Sequence, residues 1–458
     1  MSLGRDRHQK PAQKRGAATQ RRRAGTPGVQ AASGESQTAA NGDAHSGTDH
    51  LMEEVVEREN VLAALKRVRA NKGSPGIDRM TVDELRDHLI ANGAEIRIRL
   101  LEGTYEPQAV KRVEIPKPGG GTRMLGIPTV VDRLVQQCIL QVLQKRFDPT
   151  FSESSYGFRP GRRAHDAVCA AQRYIQSGKS WVVDVDLEKF FDRVNHDVLM
   201  GRLARRITDE RMLGLIRRFL SVGMLADGVV MERYEGTPQG GPLSPLLANV
   251  LLDEVDKELE KRGHAFARYA DDCNVYVSSR RAGEDVMELL RRLFAGLRLK
   301  VNEAKSAVAR PWERKFLGYS FWVNAGKQVR RRVAVKAIEK MKERVRELTP
   351  RGGRSLASVI EDLGKFLRGW KAYFRLAETP RTFAELDRWI RHRLRAIQLR
   401  QWKRGTTAYA ELRKLGAPAE LAAKVAANMR HWWSSSARLL NIILDVSYFD
   451  RLGLPRLV

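Results

Sequence analysis

Phe266-Ala-Arg-Tyr-Ala-Asp-Asp-Cys-Asn-Val-Tyr-Val277 is two short apolar runs meeting at a pair of adjacent acids. Tyr269, Val275, Tyr276 and Val277 are residues that strands favour, and Asp is tolerated at a two-residue turn. The stretch therefore predicts a β-hairpin with Asp271 and Asp272 at its tip. Taken alone, it also fits an ordinary acidic surface turn. A second acidic strand shifts the balance. Trp181-Val-Val-Asp-Val-Asp-Leu187 puts Asp184 and Asp186 on one face by the two-residue period, then runs into Glu188-Lys-Phe-Phe-Asp192, where a helix or turn begins. Three carboxylates from two strands can hold a pair of magnesium ions (Mg2+) about 3.5–4 Å apart, the arrangement that stabilises the attacking and leaving oxygens of phosphoryl transfer.

Tyr269-Ala-Asp-Asp272 resembles the palm signature of reverse transcriptases, and the surrounding sequence resembles the bacterial group II intron-encoded reverse transcriptases, or maturases. That resemblance implies an α+β fold: a right-hand polymerase with a fingers-palm reverse transcriptase core and a helical thumb, or maturase domain. It implies that Asp186, Asp271 and Asp272 hold two Mg2+ ions while a primer 3′-hydroxyl attacks the α-phosphate of a dNTP. Asp184 shares a face with Asp186 but need not be a ligand.

The charge agrees with a polyanionic partner. The 458 residues carry a net +28 with a pI near 10.4, which points to nucleic acid before an acidic membrane. No apolar run approaches the length of a membrane span, and no signal-peptide core follows the amino terminus. Cys138, Cys169 and Cys273 are too few and too scattered for a disulfide framework or a CxxC zinc site; they fit a reducing compartment and core packing. The expected location is the bacterial cytoplasm.

Residues 1–50 carry Arg21-Arg-Arg23 and almost no large apolar side chains, so a disordered basic tail is expected. From Leu51 the pattern is helical, with Val55, Leu62, Leu65 and Val68 at three- and four-residue steps. The Asn71–Asp78 loop and a capping box at Thr81-Val-Asp-Glu84 follow. The loop resembles the amino-terminal extension of the family, where such a loop lies over the template. Val110–Ile115 alternates like a strand, Pro116–Pro128 turns into a second one, and Val130–Phe147 is an amphipathic helix. Lys117 and Arg123 flank the glycines of this turn, and the resemblance places both cations over the bound triphosphate.

Tyr156-Gly-Phe-Arg-Pro-Gly-Arg162 combines aromatics, arginines and glycines and resembles the family's template-path block; His165 reads as a helix-start residue. Of Phe190 and Phe191, one is expected to close the sugar pocket and the other to join the core. Glu235-Gly-Thr-Pro-Gln-Gly-Gly-Pro-Leu-Ser-Pro245 is a fixed, open backbone in which Gln239 is the one long hydrogen-bonding side chain. Ser244 and Pro245 fit the N-cap and first position of a helix that stops near Gly263. The family's matching loop and glutamine line the nascent base pair. Leu297–Val308 reads as strand-like, and its Lys305 matches the family's lysine near the leaving pyrophosphate. Phe316–Phe321 looks like the palm's last strands.

From Gly326 to Arg404 there are 23 Lys or Arg against 8 Asp or Glu, a lopsided charge that marks a nucleic-acid face. Arg330, Arg331, Arg332, Arg368 and Lys371 are the expected RNA contacts. Leu367-Arg-Gly-Trp-Lys-Ala-Tyr-Phe374 resembles the heart of the maturase thumb, with its aromatics read as core because they share one helical stripe. The resulting division is a tail (1–50), fingers and palm with an amino-terminal extension (51–325), a thumb (326–404) and a small region resembling a DNA-binding tail (405–458). Within that last region His431 and its two tryptophans make no nuclease-like cluster, so no DNA-cleaving role is carried over.

The expected function is RNA-directed DNA polymerisation, with binding of group II intron RNA, assistance to splicing and support of mobility by target-primed reverse transcription. The expected partners are intron RNA, an RNA template with its DNA primer, dNTP and target DNA. A splicing-only maturase and a domesticated reverse transcriptase in antiviral defence or CRISPR spacer acquisition are the alternatives. The intact acids and the Gln239 loop count against the first, and the thumb motif against the second.

Overall fold

The apolar pattern beginning at Leu51 folds as helices. α1 (Leu51–Val55) and α2 (Arg58–Ala70) bury Leu51, Met52, Val55, Ala64 and Val68. Leu62, expected on the same stripe, is 54% exposed, because the face α2 turns inward is that of Ala64 and Val68. The capping box forms: the backbone N–H and hydroxyl of Thr81 each donate to Glu84 Oε2 at 2.7 Å, and α3 (Leu85–Leu101) starts just after it. In the fingers, β1 (Val110–Pro116) and β2 (Thr122–Ile127) pair antiparallel, and α4 (Val130–Phe147) follows over the span read from sequence, its first turn capped by the Thr129 hydroxyl. The computed structural model describes residues 49–458 except 117–121, 227–228, 232–233, 238–239 and 351, so the basic tail, Lys117 and Gln239 lie outside the described residues.

α5 (Ala164–Gln176) precedes β3 (Trp181–Val185), with His165 at its second residue. α6 (His196–Ala204) and α7 (Glu210–Ser221) lead to β4 (Met224–Ala226) and β5 (Val229–Met231), which extend the fingers sheet in the order β2-β1-β4-β5, with β4 parallel to β1. After α8 (Ser244–Lys261) come β6 (Ala265–Tyr269), β7 (Asp272–Val277), α9 (Arg280–Gly296) and β8 (Ala307–Ala309). Ser244 lies inside α8 rather than at its N-cap, one residue from the expected frame, and Pro245 keeps its place in the first turn, where a missing N–H costs nothing. The palm sheet runs β6-β7-β3-β8, antiparallel throughout.

Two cores form on the two faces of this sheet. Val183, Val185, Phe266, Val275 and Val277 join the core of the fingers and palm helices, while Val182, Ala267 and Tyr276 join a second core with α5 and the thumb. The period of two then dictates the acids' side: Asp184 shares the face of Val182, and Asp272 and Asn274 share that of Tyr276.

β9 (Tyr319–Val323) and β10 (Val329–Val333) form a separate antiparallel pair, followed by α10 (Val335–Leu348), α11 (Leu356–Phe374) and α12 (Pro380–Trp402). The aromatic stripe of α11 is core in part: Trp370 and Phe374 are buried 4.7 Å apart between centroids and Phe366 packs against that core, but Tyr373, expected with them, is 39% exposed because it lies at the edge of the buried face. Five short helices follow: α13 (Gly405–Lys414), α14 (Ala419–Ala427), α15 (Trp432–Arg438), α16 (Leu440–Ile443) and α17 (Val446–Arg451). The last residues fold back on the thumb: Leu457 is buried and its N–H donates to both oxygens of buried Asp387 on α12, at 3.1 Å. None of the described helices is long and apolar enough to cross a membrane.

Candidate active site

The expected hairpin forms with its turn shifted by one residue. Tyr269 pairs with Asp272 across β6 and β7, so the two linking residues are Ala270 and Asp271, and Asp272 opens the second strand. Ala270 sits at φ +59°, a left-handed conformation that a β-carbon penalises by about 1–2 kcal/mol, so neighbouring packing must hold it. The shift separates the two acids. Asp271 is at the turn, and Asp272 stands on the sheet face with Asn274 and, one strand over, Asp184.

Asp184 is held from two sides. Arg314 Nε donates to its Oδ2 at 2.7 Å, and Asn274, with its amide nitrogen oriented toward it, donates to Oδ1 at 2.9 Å. Burial nonetheless pushes its carboxyl above the usual carboxylate range. Asp186, just past the end of β3, is paired with Lys305 Nζ at 3.5 Å, and its backbone is fixed by Asn302 N–H donating to its carbonyl at 2.8 Å. The Asp272 side of the cluster is crowded with negative charge. The protein packed around this carboxyl, and then the charges of Asp271, Asp184 and Asp186, push it up to about 6, against a smaller opposing pull from Lys315. That holds although the residue keeps an open, solvent-facing side.

Among the described residues no set of three His, Cys, Asp or Glu side chains is arranged as a ready metal cage. Burial and then the neighbouring carboxylates oppose ionisation of Asp272, which a divalent cation would favour, so the oxygen donors fit a hard ion. Lys305 lies in a turn rather than the expected strand context, because Val301 makes only an isolated bridge to Leu187 before β8 begins. Its side chain is 65% exposed. Arg314, Lys315 and Asn274 escaped the sequence reading. The signal for Asn274 was its place two residues after Asp272, and that for the cations was their position immediately before Phe316.

Around the acids, Phe190 is buried at 3% exposure and Phe191 is half-buried, their rings edge to face with centroids 5.0 Å apart. The carbonyl of Phe191 accepts from Thr237 N–H at 2.7 Å, which ties the Glu235–Pro245 loop to this corner. Gly240 and Gly241 of that loop lie against the fingers: an added β-carbon would meet Gly126 O at 2.6 Å or Gln136 Oε1 at 2.3 Å. Arg123 falls in β2, opposite Ile115. Gly157 presses on the Ala270–Asp271 turn, its hypothetical β-carbon falling 2.2 Å from Ala270 N.

The family model for reverse transcriptase (RNA-dependent DNA polymerase) matches residues 115–321, and that for the group II intron maturase-specific domain matches residues 338–416. Protein YkfC of Escherichia coli is 31% identical over 299 residues, 56% of this chain and 78% of YkfC. The group II intron-encoded protein LtrA of Lactococcus lactis subsp. cremoris is 39% identical over 197 residues, 42% of this chain and 32% of LtrA. This chain belongs to the group II intron-encoded reverse transcriptases. Nuclear intron maturase 2 of Arabidopsis thaliana is 28% identical over 177 residues, 30% of this chain and 24% of that protein. The chain of the partial Cas6-RT-Cas1–Cas2 complex gives a TM-score of only 0.36 at 24% identity over 54% of this chain and 42% of that chain.

As a group II intron-encoded reverse transcriptase, the chain carries an RNA-directed DNA polymerase domain followed by a maturase domain, and the maturase match runs to 416, past the 404 border read from sequence. Several of the cations expected on its RNA face are engaged within the protein. Arg330, Arg331 and Arg332 lie on strand β10, not on a helix. Arg330 Nη1 pairs with Glu378 Oε1 at 2.5 Å, Arg331 Nε with Glu378 Oε2 at 3.2 Å, and Arg332 Nε donates to Ser320 Oγ at 3.1 Å. Lys371 donates to the carbonyls of Arg456 and Val458 at 2.9 and 3.1 Å, and Arg368 is exposed on α11.

Proposed function

We propose that this reverse transcriptase extends a DNA primer on an RNA template with Asp186, Asp271 and Asp272 as the acids of its polymerase centre, that it binds its own group II intron RNA and assists its splicing, and that it supports intron mobility by target-primed reverse transcription in the bacterial cytoplasm. The observation that carries the polymerase reading is the placement of the acids: Asp272 shares a sheet face with Asp184, Asp271 is at the adjoining turn and Asp186 lies just past the end of β3, and burial followed by these three charges raises the Asp272 carboxyl to about 6. Asp186, Asp271 and Asp272 would hold two Mg2+ ions, which supply the charge that activates the primer hydroxyl and stabilises the leaving pyrophosphate.

The chain's own residues supply the rest. Asp184, held by Arg314 and Asn274, braces the strand from which Asp186 projects. Lys305, paired with Asp186 at 3.5 Å, is the proton donor or cationic partner for the pyrophosphate. Phe191, the less buried of the pair, closes the sugar pocket, with Phe190 as its support. Lys117 and Arg123 neutralise the triphosphate, and Gln239 lines the nascent pair. The test is primer extension by the whole purified chain on an RNA template with Mg2+ and dNTPs. Intron RNA binding without any extension would leave a splicing maturase and sink the polymerase reading.

RNA affinity gives a second test. Log K should fall steeply with log salt, by about 0.7 per phosphate for single strands and about 0.9 for duplexes. Ion pairing with Glu378 already occupies Arg330 and Arg331, so replacing Arg330, Arg331 and Arg332 together by Ala should lower the slope by about one phosphate, not three, and lower the melting temperature as well. A drop of about two or more in the slope, with stability unchanged, would show that all three meet RNA directly.

A further inference from the structure

Arg268 sits directly before the catalytic turn and is 2% exposed, an expensive place for a charge unless every donor is used. Its donors are fully occupied. Nε donates to Asp256 Oδ1 and Oδ2 at 2.8 and 3.0 Å, and Nη2 to Asp256 Oδ2 at 2.5 Å and Ser155 Oγ at 2.8 Å. Nη1 donates to Asn249 Oδ1 and to the carbonyl of Ala270, both at 2.9 Å. The last bond falls on the one residue of the turn held at positive φ. Asn249 in turn donates from Nδ2 to Gly157 O at 2.9 Å, while the backbone of Arg268 exchanges bonds with Ser154 O (2.9 Å) and Tyr156 N (2.8 Å). One guanidinium therefore joins α8, the Ser154–Gly157 segment and the turn carrying Asp271 and Asp272.

We propose that Arg268 is a positioning residue for polymerisation: held by Asp256 and Asn249, its Nη1 fixes the Ala270 carbonyl and thereby the carboxylates of Asp271 and Asp272 relative to Tyr156–Gly157. This rests on the polymerase reading of the acids. The rival is a plain core ion pair whose loss only destabilises. Geometry favours positioning, because pairing with Asp256 needs only two of the guanidinium's three nitrogens, and the third is spent on the turn and on the residue that holds Gly157. A lysine keeps the charge opposite Asp256 but lacks the planar fork that reaches Asn249 and Ala270 together.

The experiment compares Arg268→Lys, Asn249→Ala and Asp256→Asn with the unaltered chain. It measures steady-state primer extension, thermal unfolding, template–primer affinity and amide hydrogen exchange of the 266–277 segment. Extension by the unaltered chain comes first; its failure overturns the reading of the acids, a result separate from the variants. Positioning predicts that Arg268→Lys lowers kcat by about 10- to 100-fold, with the dNTP KM and duplex affinity within about twofold, and speeds exchange at Tyr269–Asp272 selectively. Asn249→Ala should shift the same readouts less, and it decides the matter if Arg268→Lys does not fold. Asp256→Asn should cost more in melting temperature than in kcat. Wild-type kcat in Arg268→Lys, or kcat losses that follow melting temperature across the set with unchanged exchange at the turn, would overturn the proposal.

Discussion

Asp272→Ala is expected to abolish cDNA synthesis, lowering kcat by about 10³-fold or more, while intron RNA affinity stays within about twofold. If these acids hold divalent cations as proposed, removing one carboxylate forfeits several kcal/mol of transition-state stabilisation, and about 4 kcal/mol corresponds to about 10³ in rate. Binding should be insulated, since the cations proposed to hold RNA lie on the thumb, not among the acids. The protein itself should not suffer, since Asp272 crowds against Asp271, Asp184 and Asp186 and its loss relieves repulsion. A melting temperature equal to or above that of the unaltered chain is the accompanying expectation. A variant that copies RNA at the original rate would show that the acids at 271 and 272 are not the polymerase centre, whatever their sequence suggests.

Gly157→Ala should be nearly as damaging, although position 157 bears no reactive group. A β-carbon there would lie 2.2 Å from Ala270 N, 2.9 Å from Tyr269 C and 3.1 Å from Ala270 Cα, all backbone atoms at the turn that carries Asp271. No flexible side chain can swing aside, so either the turn or the 154–157 segment must move by most of an ångström. A displacement of about 1 Å at reacting groups costs about 10² in rate, and the same overlap should lower stability by about 1–3 kcal/mol. Gly201→Ala is the control: it lies within α6 with nothing within 4 Å of the added carbon, so it should leave activity alone and stabilise slightly. Retention of full activity by Gly157→Ala, measured as primer extension per folded molecule, would mean that the turn tolerates displacement and that the acids are not held as tightly as the packing indicates.

Both experiments bear on what is legible without coordinates. Local pattern carried far: the strands at Trp181–Val185 and Val110–Ile115 and the unbroken helix from Val130 to Phe147 follow from periods of 2 and 3.6, although in β1 only Val110 is buried and Ile115 is exposed. The same period accounts for Trp370 and Phe374 in the core of α11, while Tyr373, beside them in sequence, is exposed. The hairpin frame slipped by one residue because turn chemistry tolerates Asp and does not forbid Ala at positive φ when neighbours enforce it. Arg330 and Arg331 of β10 are paired with Glu378, which the sequence does not reveal because net charge says how many cations a segment carries, but not which are already paired.

The sequence by itself determined the class of chemistry and the order of the parts: adjacent acids on strands, a glycine-rich loop before them and a basic, aromatic-striped thumb behind. These depend on residue type and near spacing, which survive without knowledge of distant neighbours. Only the tertiary structure decided which face the acids share and which cations answer them. It brings Arg314 to Asp184 across 130 residues and Arg268 to Ser155 across 113, and sets Gly157 against Ala270. Contacts of that separation follow from how two cores close on opposite faces of one sheet, and no local period records them.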